Sequence, residues 1–322
     1  MLYFEPEGFE KAYSEYLLGN KSQESQEIYI DPDCTADIRE INYYNKLTKF
    51  LSKREEDKMS TTQFSFLPPK LSKDTSEEEK KDSRIDEYKI LAIDGDKVMY
   101  RLTSDQIGFS ACERIYLPQN ARKYPLSRLM VDTNIEKQKE VAKEIALYVK
   151  KTRTLGGALV WPMASTGRRI CQYNYRRGIC GYIEDRVDLT LLEVKHALEG
   201  KYDNGEFKSD VLYDEYVKDK SVMRIWLNRF ISKDKNDPFG LFVDYFMLND
   251  FINEGLPIDI TTGEKINEKK VQDYVDTFRK NRIGKLQELK YKDLRATLKR
   301  LEKMIEKRTY RIEKYLRIEQ KQ

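Results

Sequence analysis

The 322-residue sequence holds one histidine and four cysteines, and that scarcity removes whole classes of chemistry. Cys34, Cys112, Cys171 and Cys180 form no C-x-x-C pair. With a single histidine no standard Cys/His zinc set can be assembled at ligand spacing, so no metal site is expected. Reduced thiols in a cytosol are the simpler reading, which makes the expected location cytoplasmic. No apolar run approaches the roughly 18 residues of a membrane span, and no membrane partner is expected. Glu5 and Glu7 stand where a leader would carry basic and then apolar residues. Also missing are G-x-x-x-x-G-K-[ST], the dinucleotide G-x-G-x-x-G, G-x-S-x-G and H-E-x-x-H, which removes the best-marked nucleotide, hydrolase and metalloprotease classes. The cofactor stays unknown, because no motif marks one.

What is abundant is charge. Asp, Glu, Lys and Arg make up 35% of the chain against about 25% in an ordinary globular protein, while the 39% hydrophobic content still suffices for a core. The net charge of +4 is mild, but it is segregated: residues 265–322 carry 19 Lys and Arg against 9 Asp and Glu, a net of +10, leaving −6 upstream.

Helical spacing predicts a short helix over Phe9 to Leu18, a helix over Ile38 to Leu51 with Ile41, Tyr44, Leu47 and Leu51 on one face, and another over Lys137 to Lys151. Strands are expected at Glu27 to Ile30 and Phe64 to Leu67, and a turn at Asp31-Pro32-Asp33. Tyr88 to Ile93 and Lys97 to Leu102 flank Asp94-Gly95-Asp96, the clearest hairpin signal in the chain. Gly156-Gly157 breaks into the buried-strand pattern Ala158 to Trp161. Helices are expected over Leu189 to Leu198, Val222 to Phe230 and Leu241 to Leu256, and a turn at Thr261 to Gly263. The stretch 68–86 is polar and is expected to be a mobile loop. From Val271 onward an apolar stripe, Leu294, Leu298, Leu301, Ile305, Ile312 and Tyr315, suits a packing face or a coiled-coil seam. The fold class is α+β: a small sheet packed by helices in a core of residues 1–260, then a basic helical hairpin or coiled-coil region over 265–322.

The densest group of chemically versatile residues is Ser165 to Thr190. Arg168, Arg169, Arg176, Arg177 and Arg186 lie among Tyr173, Tyr175 and Tyr182, with Gly167, Gly178 and Gly181 between them. Guanidinium forks bind phosphate oxygens bidentately and aromatic rings stack on bases. A bland reading stands at equal weight: Thr190-Leu-Leu-Glu193 as a capping box, Asp185 paired with Arg186 or Asp188 acting structurally, and the glycines serving turns. Ser104 and Asp105, placed at the end of the strand Val98 to Leu102, are further candidates, although Ser and Asp are also ordinary turn formers and caps. His196 falls off the apolar face of its helix with no partner in view.

Several segments together resemble a family of bacterial and phage proteins of unknown function. These are Asp31-Pro-Asp33 with the helix after it, Leu102 to Ile107, Gly156-Gly-Ala-Leu-Val-Trp-Pro162, Asn174-Tyr-Arg-Arg-Gly178, Asp185-Arg-Val-Asp-Leu-Thr-Leu191 and Phe242 to Asp250. The most specific pair is N-x-x-R-G followed by D-R-x-D-L-T-L. The resemblance covers about residues 28–252, with the loop 68–86 and everything after 265 as additions, and Leu47-Thr-Lys standing where the family usually has a tryptophan. It implies that Asn174, Arg177, Asp185 and Arg186 belong to one site; Ser104, Asp105, Arg168, Arg169, Tyr173, Asp188 and Thr190 are the substrate-binding candidates that the residues themselves suggest.

Two functions compete. One is an intracellular effector, toxin-like or defence-related, acting on a nucleotide or nucleic acid: Arg177 and Arg186 stabilise phosphate charge, and Asp185, Asp188 or Ser104 supplies acid/base or nucleophilic groups. The other is a non-catalytic module gripping nucleic acid or a protein partner, with 271–322 as the contacting or self-associating arm.

Overall fold

A computed structural model of the chain describes residues 10–11, 14, 18, 38–59, 63–67, 89–94, 97–107, 135–162, 187–208, 210–218, 221–269 and 291–317. The expected features at 27–33 and 68–86, and any antiparallel helix within 271–290, lie outside them. Of the expected first helix, Glu10, Lys11 and Ser14 are helical.

Helix α1, Ile38–Lys58, runs about two turns beyond the expected end because no Gly or Pro interrupts it. Tyr44, Leu47, Phe50 and Leu51 bury its inner face. Strand β1, Gln63–Leu67, follows. Strands β2, Lys89–Asp94, and β3, Lys97–Gln106, form the expected hairpin. Asp94 pairs with Lys97, in keeping with the hairpin signal of Asp94-Gly95-Asp96.

Helix α2, Ile135–Thr152, carries Glu136 in its first turn and Lys150 and Lys151 in its last, complementing the helix dipole. A 3-10 turn, Leu155–Gly157, leads into β4, Ala158–Pro162, all of whose residues are buried. The four strands form one antiparallel sheet in the order β1-β2-β3-β4. As an edge strand β4 needs cover. Its Trp161 ring meets Trp226 edge-on at 5.5 Å between centroids, and Phe230, Phe242 and Phe246 extend the aromatic cluster around Trp226.

Three further helices follow α3, Val187–Leu198, which ends at Gly200 with φ 75°. They are α4, Val211–Tyr216; α5, Val222–Lys233; and α6, Pro238–Tyr245. Ser221 caps α5 by accepting from the Arg224 amide, and Asp237 caps α6 by accepting from the Gly240 amide, with Pro238 at the first helical position.

The single helix expected over Leu241 to Leu256 does not form. Helix α6 stops at Tyr245, Met247 takes a positive φ of 52°, and a 3-10 turn, Asn249–Phe251, gives way to a small hairpin. Its strands β5, Ile252–Asn253, and β6, Leu256–Pro257, are joined by Glu254 and Gly255 at φ 48° and 75°, and positive φ at both central residues matches the right-handed twist of the strands. The apolar run 241–251 mimicked a longer helix, whereas Glu254-Gly255 and Pro257 carried the turn.

Helix α7, Tyr291–Arg317, packs against α2 and the 3-10 turn at 155–157. Leu298, Leu301, Ile305 and Ile312 belong to the same buried cluster as the sheet. Fully buried Arg308 fills the gap in that stripe. It donates from Nε to the Phe246 carbonyl oxygen at 2.9 Å and from Nη1 to those of Gly156 at 2.7 Å and Ala158 at 2.6 Å. Burial pulls its guanidinium down to about 9, so it remains charged at neutral pH and cross-links α7, the start of β4 and the end of α6 through carbonyl groups. Four helices and a hairpin packed on one antiparallel sheet edge and its flanking helices make the fold α+β.

Candidate functional site

The Arg/Tyr segment connects two buried ends. Strand β4 closes on Trp161 and Pro162, and the chain returns at Val187 and Asp188, which are 3% and 1% exposed. Asn174, Arg177, Asp185, Arg186, Arg168, Arg169 and Tyr173 lie between those ends and outside the described residues. Asp188 accepts the Ile260 amide at 3.0 Å, tying the first turn of α3 to the 259–263 turn, and Thr190 is buried one turn further along.

The capping-box reading fails. Helix α3 begins at Val187, so Thr190 lies within it, and Glu193 accepts the Leu212 amide at 2.9 Å. Ser104 and Asp105 are not at a strand end either: β3 continues through Gln106, where it pairs with β4, so Ser104 lies opposite Val160 and Asp105 opposite Leu159. The strand outlasts its apolar residues because β4 offers a backbone partner.

The expectation that His196 faces away from the core is overturned. The ring is 2% exposed and stacks on Phe207 at 3.7 Å between centroids. Its Nδ1 lies 2.8 Å from Asp210 Oδ2, and its Nε2 lies 3.2 Å from Glu268 Oε2. Tyr202 donates to the same Asp210 oxygen at 2.8 Å and to the Glu193 carbonyl oxygen at 3.1 Å. Glu268 is the outermost of the three, with 32% of its side chain exposed against 7% for Asp210, and Lys201 stands 3.8 Å from it. Nearby, Glu199 is desolvated by burial, but hydrogen bonds from Lys195 and Lys201 outweigh that and hold its carboxyl below the usual range.

Chemically this cluster is a histidine held between two carboxylates. Donation to both at once requires a proton on each ring nitrogen. Both nitrogens are engaged, so neither is open to take a proton from a substrate; the arrangement instead joins α3, the 201–210 turn and the segment at 268. Sequence reading missed it because Asp210 and Glu268 are 14 and 72 residues from His196. Among the described residues, no group of three or more His, Cys, Asp or Glu side chains could hold a metal ion, and no helix is long and apolar enough to cross a membrane.

No curated protein and no solved structure matches the chain. One family model matches residues 70–312. That span starts beyond α1 and runs into α7 as far as Ile312, further toward the C-terminus than the resemblance over 28–252. With the match covering most of its length, the chain belongs to this family, described as a family of unknown function, DUF6994.

Proposed function

We propose that the chain is an intracellular, cytoplasmic effector of toxin-like or defence type that acts on a nucleotide or nucleic acid through the segment 165–186, with Arg177 and Arg186 on phosphate oxygens and Asn174 and Asp185 orienting the substrate or the arginines. The observation that carries this reading is the anchoring of the segment: it leaves from the buried end of β4 and returns to the buried first turn of α3. Five arginines lie in the sequence between those two ends, and connections on a rigid scaffold are where binding groups concentrate. Asp185 within that cationic stretch weakens plain electrostatic binding, so it fits chemistry, or the holding of an arginine in position.

A second reading, a non-catalytic binding module, draws on a different observation. The chain's one histidine has both ring nitrogens occupied by carboxylates, so it is not placed to meet a substrate as the usual general base.

The experiment is incubation of wild type and Arg177→Ala with total RNA, single-stranded DNA and labelled NAD. Turnover of one substrate that Arg177→Ala abolishes supports the effector. Retention without turnover supports the binding module, and neither with any substrate ends the effector reading and leaves the module only a protein partner.

A further inference from the structure

Helix α7 presents two faces. One carries Leu298, Leu301, Ile305 and Ile312 into the core. The other exposes Ala296, Lys299, Lys303, Glu306, Lys307, Tyr310, Lys314 and Arg317, a single stripe at spacings of three and four residues. Its one carboxylate, Glu306, is paired with Lys151 at 2.6 Å, and Arg317 is paired with Glu313 at 3.2 Å. Lys307 stands 3.8 Å from Asp250, whose other oxygen is bound by Arg311. Lys299, Lys303 and Lys314 have no hydrogen-bond or ion-pair partner among the described residues. In the middle of these cations Tyr310 is 67% exposed, the most exposed of the large apolar side chains described.

We infer that this face of α7 binds the backbone of single-stranded nucleic acid, with Lys299, Lys303 and Lys307 on successive phosphates, Lys314 on a phosphate further along and Tyr310 stacked on a base. The geometry selects this ligand. At about 1.5 Å rise per residue, lysines four apart stand about 6 Å apart along a straight axis, a separation that the phosphates of an extended strand can follow. The phosphates of a duplex wind away from a straight rod after a short contact. An exposed aromatic ring among cations is the stacking element of single-strand binders, and duplex bases are not free to use it. The helix is held by its buried face, Arg308 included, so the backbone that carries the cations is ordered before binding and only side-chain rotamer entropy is lost on contact.

The inference rests on α7 alone and does not depend on the reading of the 165–186 segment. The test is fluorescence anisotropy with a labelled 20-nucleotide oligo(dT), its oligo(U) counterpart and a duplex of the same length, from about 50 to 200 mM salt. The proteins are wild type, Lys303→Gln/Lys307→Gln/Lys314→Gln, Tyr310→Ala and Arg176→Ala/Arg177→Ala. Point variants replace truncation because removing α7 would empty the core, and circular dichroism and thermal melting check that each variant is folded. The triple variant is expected to lose at least tenfold in affinity at low salt, and its log–log salt slope should shrink by about 2, since each phosphate contact on a single strand contributes about 0.7. Tyr310→Ala should weaken binding without changing the slope. Comparison of oligo(dT) with oligo(U) distinguishes DNA from RNA as the source of the backbone. Tighter binding of the duplex, or a triple variant with wild-type affinity and slope, overturns the inference. A loss confined to Arg176→Ala/Arg177→Ala would overturn it too, while leaving the reading of the arginine segment intact.

Discussion

Gly156 and Thr309 lie so close that a Cβ on the glycine would overlap the backbone nitrogen and hydroxyl oxygen of the threonine, and the Ile305 carbonyl oxygen as well. The contact continues through Thr154, whose hydroxyl lies 2.8 Å from that of Thr309. Helix α7 therefore touches the turn before β4 backbone to backbone. Gly156→Ala should destabilise the protein by about 1–3 kcal/mol, because the clash is with main chain that cannot rotate away. A fall in the urea midpoint at unchanged m-value is the expected reading; an unchanged midpoint would show that α7 sits further off.

Arg308 fixes the same junction. Its replacement by Met keeps most of the volume but leaves the carbonyls of Phe246, Gly156 and Ala158 without this donor, a loss of roughly 2–4 kcal/mol. Arg308→Lys should fall between wild type and Arg308→Met, since one ammonium lacks the fork that reaches both α6 and β4. Equal stabilities for the three proteins in urea denaturation would contradict the assignment.

Much of this was legible in the residues. The β2–β3 hairpin was written in Asp94-Gly95-Asp96, and β4 in the apolar run after Gly156-Gly157, because both depend on local conformational preference. The helices α1, α2, α3 and α5 were legible from their apolar stripes, whereas the six-residue α4 is too short to show one. Arg308 had a signal that went unused: it sits three residues after Ile305 and four before Ile312, on the stripe itself, and a cation at a core position calls for buried acceptors. The His196 pairings could not be read, because they join residues far apart in sequence and no local pattern encodes them. The end of β3 was misplaced for the same reason, since strand length there is set by β4. Of the proposed phosphate site, only Asp188 and Thr190, and the backbone of Ser104 and Asp105, fall among the described residues.

The His196–Asp210 contact is the centre of the buried polar cluster. Unfolding free energies of His196→Phe, Asp210→Asn and the double variant should be non-additive, with a coupling of about 0.5–3 kcal/mol. Additivity within about 0.5 kcal/mol would mean that the two side chains do not share an interaction.

Glu302 on α7 gives a pH test with a definite sign. Burial holds its carboxyl above the usual range, and Glu306 and Glu144 push the same way against Lys151 and Lys299. The folded state therefore binds this proton more tightly than the unfolded chain, and stability falls as pH rises from the unfolded value of 4.5 through the raised folded value. Glu302→Gln should melt higher than wild type at neutral pH, and the gain should vanish at about pH 3.5, where both states are protonated. A gain that persists unchanged into acid would point to packing instead.

The central claim is that the arginine segment between β4 and α3 engages phosphate. Its most direct test is a low-salt binding titration of folded wild type and Arg177→Ala, with the α7 lysines intact, against labelled single-stranded RNA, single-stranded DNA and NAD. The account predicts saturable binding of at least one of these by wild type and a loss of at least tenfold in Arg177→Ala, in line with the removal of one bidentate phosphate contact. Equal affinities of the two proteins for every ligand, or no binding by wild type, would contradict it.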